Sequence, residues 1–348
     1  MRYRVTLVIV LAAVAIAAVL GTLTRDQKVQ AQSEEPIVKM DPALDDIVPA
    51  SAKIEKVAGG FAFVEGPVWM HKGFLLFSDI PHNVIDEWNP HTTVVTAFLK
   101  NSGFTGNPAR PVPQTLTMAN LIPTLIGSNG LTLDGAGRLI ICEHGNRRVE
   151  RLEKDGRRTI IADRYEGKRF NSPNDVVVKS DGSIYFTDPP FGLQSTDSKA
   201  ELPFAGVYRV KDGEIELLTK ELKAPNGLAF SPDERYLYVD DSGAKTYMKY
   251  DVKANGTIAN GQVFYDDSKN PAEGVPDGMK VDRKGNIYAA GPGGVVYIFS
   301  AVGKLLGRLK PPEGPANLAW GDEDGKTLYM TAWSSVYRVR LKIAGIRP

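Results

Sequence analysis

"NGLAFSPDERYLYVD" (226–240) reads as a short strand, a tight polar turn and a second strand. Its opening is out of place, because Asn and Gly stand at the mouth of an apolar strand although both are depleted in strands. The same word returns along the chain as "EGPVWMHKGFLLFSD" (65–79), "NGLTLDGAGRLIICE" (129–143), "NDVVVKSDGSIYFTD" (174–188), "DGMKVDRKGNIYAAG" (277–291) and "ANLAWGDEDGKTLYMTA" (316–332). The turns include Asp-Gly at 134–135, 181–182 and 324–325, a strong hairpin signal. A third strand follows each word: "NVIDEW", "RVERLE", "GVYRV", "TYMKYDV", "GVVYIFS" and "SVYRVRL". In "VVTAFL", "RTIIAD", "EIELLT" and "QVFYDD" a fourth strand closes the unit.

Repeats of about 40–50 residues with four strands each are propeller blades. The sequence therefore predicts an all-β fold, a six-bladed β-propeller of four-stranded antiparallel blades. The sixth repeat has three strands before the chain ends, and "AKIEKVA" (52–58) is the N-terminal strand that completes it and closes the ring. A Pro-, Gly- and Asn-rich insertion at 100–124 reads as a long loop over one face. No segment of the propeller shows helical periodicity.

The N-terminus differs in kind. "MRYR" is basic, 5–23 is apolar and uncharged, and "VQA" (29–31) supplies a small residue for cleavage. Residues 1–31 are thus an export signal or a retained N-terminal anchor, and the folded part is expected outside the cytoplasmic membrane, periplasmic or extracellular. The acidic, Pro-bearing 32–50 reads as a linker, which leaves 51–348 for the propeller. Lys and Arg number 42 against 41 Asp and Glu, a balance that argues against a nucleic-acid partner. Membrane contact is expected only through an uncleaved N-terminal segment. The single cysteine, Cys142, excludes an intrachain disulfide and a thiolate metal site. No H-E-x-x-H, G-x-S-x-G or phosphate-binding Gly-Lys loop is present. Arg147, Arg148, Arg151, Arg157 and Arg158 read as a solvated basic surface, and Glu143, Asp188, Asp240 and Asp241 as exposed strand ends.

Rotational symmetry gives the first letter of each word its meaning. In a propeller the innermost strands border the central channel, so equivalent positions meet around one axis. These positions are Glu65, Asn129, Asn174, Asn226, Asp277 and Ala316, and five of the six carry a side-chain oxygen. A single Asn-Gly or Asp-Gly is an ordinary turn word. Five oxygen-bearing side chains in one register form a pocket of carboxylates and amides, the ligand set of a hard cation such as calcium. Pro before three of them and Gly after four suit a crowded axis. His144, just after the second strand of the second repeat, is either a hydrogen-bonding partner for a ligand at the channel mouth or an ordinary turn or edge histidine.

"FVEGPVW", "SPNDVVVKSDGSIYFTDPPFG", "APNGLAFSPDERYLYV" and "GVPDGMKVDRKGNIY" resemble the senescence marker protein (regucalcin), gluconolactonase and luciferin-regenerating family. "CEHGNRRV", "AGVYRV" and the opening "DPALDDIVPASAKIEKVAGG" resemble its bacterial gluconolactonase-like branch. The likeness runs over about residues 41–342. It implies a six-bladed propeller with one divalent metal ion in the channel: calcium first, with zinc, manganese or magnesium as alternates. By motif it implies Glu65, Asn226 and Asp277 as metal ligands. Asn174 matches a position that contacts substrate or lies near the metal, and Asn129 matches more loosely. The 100–124 insertion departs from the shorter loop of the family.

The resemblance implies a metal-dependent lactonase acting on a small-molecule lactone, with gluconolactone-type sugar-acid lactones favoured. The metal activates the carbonyl, Asp277 is the catalytic base, Glu65, Asn174, Asn226 and Asp277 hold the metal, and Asn129, His144 and Asn174 bind substrate. The alternative is a non-catalytic extracytoplasmic propeller that binds a sugar acid or a protein partner around a structural calcium ion. A metal-free, strictosidine-synthase-like propeller is a third reading, and the polar ring argues against it.

Overall fold

Apolar side chains at alternate positions, with polar turns every few residues, pair locally into antiparallel meanders. The computed structural model describes residues 35–348 apart from position 109. The expected signal or anchor segment, 1–31, lies outside the described residues. In the fourth blade the strands run Pro225–Phe230, Tyr236–Asp241, Thr246–Val252 and Ile258–Asp266 from axis to rim, each paired with the next. The inner strands of the other blades are Val64–Met70, Ser128–Leu133, Val176–Val178, Met279–Val281 and Pro315–Gly321. Each inner strand packs against the inner strand of the next blade, and the sixth packs against the first. The predicted six-bladed β-propeller of four-stranded antiparallel blades is the observed fold.

The N-terminal strand Ile54–Gly59 pairs with Ser335–Arg340 and completes the sixth blade, with Ile54 opposite Val339. At this closure Trp69 of the first blade stacks on Tyr329 of the sixth, with ring centroids 5.3 Å apart. The segment read as a linker is partly a strand. Ile37–Lys39 pairs with Leu305–Leu309 and makes the fifth blade five-stranded. Asp41 caps the 3-10 turn Pro42–Asp46, which buries Leu44 against the same blade. An outer strand left bare would present unpaired backbone groups, and the Ile-Val pair covers this one. The propeller unit therefore begins at Pro36, not Ser51.

The acidic ends of several second strands are buried, which corrects the expectation of exposed ends for Glu143, Asp188, Asp240 and Asp241. Two of these acids, with Asp79 at the equivalent place in the first blade, have a structural job. Asp79 accepts from Ala62 N and Phe63 N, Asp188 from Asn171 N and Ser172 N, and Asp241 from Lys223 N and Ala224 N. Each carboxylate thus holds the loop that leads into its blade's inner strand. The basic cluster is also less solvated than its composition implies. Arg147 is buried, and Arg148 and Arg158 pair with the buried Glu143 and Glu150.

Candidate active site

The recurring word lies where the sheet ladder breaks. Pairing with the second strand slips between Glu65 and Val68, Ser128 and Leu131, Pro225 and Leu228, and Pro315 and Asn317. In the third and fifth blades the regular ladder starts at Val176 and Met279, and irregular backbone bonds from Asn174 N to Thr187 O and from Asp277 N to Ala290 O precede it. Such bulges release the backbone from the ladder and re-aim a side chain, which is why Asn and Asp are tolerated there. The carbonyls freed by the slip are taken by neighbouring blades. Gly130 N donates to Asn174 O (2.7 Å), Thr187 Oγ1 to Asn226 O (2.7 Å) and Ser78 Oγ to Asn129 O (2.8 Å). Their side chains are left to the channel.

Close approach of the blades fixes the glycine after the word. A Cβ on Gly66, whose φ is +50°, would lie 1.9 Å from Asn129 O, and one on Gly278 would lie 2.0 Å from Asn317 Cγ. No side chain fits either position.

All six ring positions, Glu65, Asn129, Asn174, Asn226, Asp277 and Ala316, line one cavity of about 400 Å³, and His144 lines it too. The carboxyl groups of Glu65 and Asp277 are close enough that each feels the other, and the Asn226 amide lies beside Asp277. Asn226 Nδ2 donates to Ser242 Oγ (3.1 Å), while its Oδ1 and that of Asn129 are buried without a hydrogen-bond partner. Asn129 Nδ2 lies 3.3 Å from His144 Nε2. Ala316 brings no oxygen; the amide of the next residue, Asn317, lies near Glu65 and accepts from Lys280 Nζ (3.3 Å).

A second polar layer, which sequence reading missed, underlies the ring. Lys280 Nζ donates to Met279 O (2.9 Å) and Asn317 Oδ1 (3.3 Å) and lies 3.9 Å from Asp175 Oδ2. Asp175 and Asn317 occupy the place held by glycine in the other four words. Asp240 is buried beside them. Glu65, Asp175, Asp240 and Asp277 thus crowd four acids together at the ring beside one ammonium. Burial, with the charge of Asp175, pushes the Glu65 carboxyl up to about 7. Burial and the charges of Glu65 and Asp175 push Asp277 well up, and burial with the charge of Asp277 does the same to Asp240.

This arrangement fits a divalent cation on its own chemistry. It offers two facing carboxylates, orphaned amide oxygens and a surplus of buried negative charge that a cation would relieve. Among the described residues no group of three or more His, Cys, Asp or Glu side chains is arranged to hold an ion. What the ring offers such an ion is two carboxylates and the amides beside them. Asp277 keeps partial access to the cavity, whereas Glu65 is buried.

The fully buried His144 is neutral, with its pKa pressed down by burial to about 4. A histidine with a folded pKa below its unfolded value stabilises the fold above pH 6.5 and loses that contribution as pH falls toward 4. The loss for His144 is about 3 kcal/mol. His144→Gln should flatten the stability profile between pH 6.5 and 4, followed by urea unfolding. An acid limb as steep as that of the wild type would show that His144 is not its source.

The sequence profile of the SMP-30/Gluconolactonase/LRE-like region matches residues 63–334. The chain belongs to this family. It is similar to a gluconolactonase of Zymomonas mobilis, with 37% identity over 352 residues and 95% of each chain covered. A solved structure of a gluconolactonase from Xanthomonas campestris superposes with a TM-score of 0.75 at 30% identity, covering 88% of this chain and 95% of that one. A calcium-binding regucalcin from Agrobacterium tumefaciens shares the fold at 17% identity, with a TM-score of 0.67 and coverage of 85% and 98%. Membership in the SMP-30/Gluconolactonase/LRE-like family agrees with the resemblance carried by the sequence motifs.

Proposed function

We propose that this protein is a divalent-metal-dependent lactone hydrolase of the gluconolactonase kind. The observation that carries the reading is the meeting of Glu65, Asn226 and Asp277 at the base of one cavity. Extensive similarity to a gluconolactonase supports it.

Glu65, Asn174, Asn226 and Asp277 would hold the ion through oxygen, with calcium the first choice for such a hard donor set. A bound divalent ion supplies Lewis-acid polarisation of the lactone carbonyl. Asp277, the ring carboxylate with access to the cavity, takes a proton from the attacking water as its oxygen bonds to the carbonyl carbon. The ring C–O bond then breaks, the leaving oxygen is protonated, and the product is the open-chain hydroxy acid. His144 stays neutral through this cycle, so with Asn129 and Asn174 it orients the substrate by hydrogen bonds and is not a charged acid. Beneath the ring Lys280 holds Asn317 and pairs with Asp175.

Acid release from glucono-δ-lactone, followed in a pH-stat with calcium, zinc, manganese or magnesium and in chelator, tests the reading. Ring opening faster than the spontaneous rate, and only with an ion, is expected. Equal rates in chelator would remove the metal from the scheme, and no acceleration with any ion, for this or any other lactone, would leave a non-catalytic binding propeller.

A further inference from the structure

The wall above the polar ring is apolar. Phe63, Leu121, Ile122, Leu125, Phe191 and Trp333 line the same cavity as the ring. They also pack together in a cluster with the buried Ile80. Three of the six come from the insertion or the residue just after it. That segment carries a helical turn, Met118–Leu121, and a 3-10 turn, Ile122–Thr124.

The wall is pinned in place. Asn83 Nδ2 donates to Phe104 O (2.7 Å) and its Oδ1 accepts from Gly103 N (2.8 Å). Arg158 donates to Asn101 O (2.8 Å) and Ser102 O (2.9 Å). On the far side Ser195 Oγ donates to Leu125 O (3.1 Å), tying the insertion to the 3-10 helix Phe191–Thr196.

Trp333 is the most telling member. It stands in the two-residue turn between Thr327–Ala332 and Ser335–Arg340 with φ +46°, a conformation that such turns give to Gly or Asn. A bulky residue is strained there by about 1–3 kcal/mol. Its ring meets Phe63 edge to face, with centroids 5.4 Å apart. The turn thus sets an aromatic ring on the wall of the cavity that the polar ring lines.

We propose that the substrates this site prefers are lactones carrying an alkyl or aryl arm, which lies along the wall from Trp333 to Leu121 while the lactone ring meets the polar ring below. This rests on the lactone-hydrolase reading and adds the substrate's apolar half. A polyhydroxylated lactone would turn hydroxyl groups toward five side chains that offer no donor or acceptor and one, Trp333, that offers a single indole N–H, and each hydroxyl left unpaired weakens binding. An alkyl arm is bound better there than in water by about three- to fourfold per methylene group.

The test is the hydrolysis of γ-butyrolactone, γ-hexalactone, γ-nonalactone, dihydrocoumarin and glucono-δ-lactone by the full-length protein with its activating ion. kcat/KM should rise about threefold per methylene along the γ-lactone series until the wall is covered, and γ-nonalactone and dihydrocoumarin should exceed glucono-δ-lactone at least tenfold. Trp333→Ala and Leu121→Asn should each lower the ratio of γ-nonalactone to γ-butyrolactone activity by about tenfold, with thermal unfolding recorded to confirm the fold. A flat or falling series with glucono-δ-lactone preferred would overturn the proposal and leave the lactonase reading standing. Failure to hydrolyse any of the five would overturn both.

Discussion

Asp277→Asn is expected to lower kcat for lactone opening by about a thousandfold, in the range a positioned general base contributes, with the far-ultraviolet spectrum and cooperative unfolding retained. The fold is spared because Asp277 adds strain rather than stability to the empty ring. Its carboxyl is driven well up by burial and by Glu65 and Asp175, so removing it relieves crowding of like charge. An amide at this position keeps an oxygen for the ion and for Gly278 N, which donates to Asp277 Oδ1 at 3.1 Å, but it cannot accept the proton of an attacking water. Asp277→Ala removes both functions. The pair therefore separates two roles. If Asp277 served only to hold the ion, saturating metal would restore Asp277→Asn, and the base would have to be sought at Glu65, whose Glu65→Gln variant should then be the inactive one. Full activity in both Asp277 variants would end the assignment.

How far the sequence could be read depended on repetition. Glu65, Asn129, Asn174, Asn226 and Asp277 stood out because polar residues recurred in one register at places where strand propensity disfavours them, and closing the ring brings those places to one cavity. Ile37–Lys39 gave no such signal. Three residues without a turn word look like linker, and only the open edge of the fifth blade makes them a strand. Asp175 and Asn317 were legible in principle, since they stand where the other four words have Gly, but their role depends on Lys280, which no repeat singles out. Asp240 looked like an exposed strand end and is buried behind the next layer of the channel. Trp333, Phe191 and Leu121 lie in connections that do not repeat, so their meeting at one mouth is a property of the folded ring alone.

Metal-free protein titrated with calcium should show a rise in Tm of about 5 °C at a hundredfold excess over Kd. Binding to the native state alone stabilises by about 2.7 kcal/mol at that excess, and a chain of this size shifts by about 2 °C per kcal/mol. Glu65→Gln combined with Asp277→Asn should abolish the shift, because it takes both carboxylates from a donor set otherwise made of amides. The double variant should also be at least as stable as the metal-free wild type, since two buried acids no longer compete for room. The pH dependence has a definite sign. Glu65, with its carboxyl pushed up to about 7, and Asp277, also raised, favour their protonated forms in the metal-free fold, so their contribution to stability is full in acid and is lost as pH rises through about 7. An ion must displace those protons, and both its affinity and the Tm gain it confers should grow across the same interval. A calcium, zinc, manganese and magnesium series that leaves the wild type unmoved at pH 8, or that shifts the double variant equally, would show that the two carboxylates face each other for some purpose other than gripping an ion.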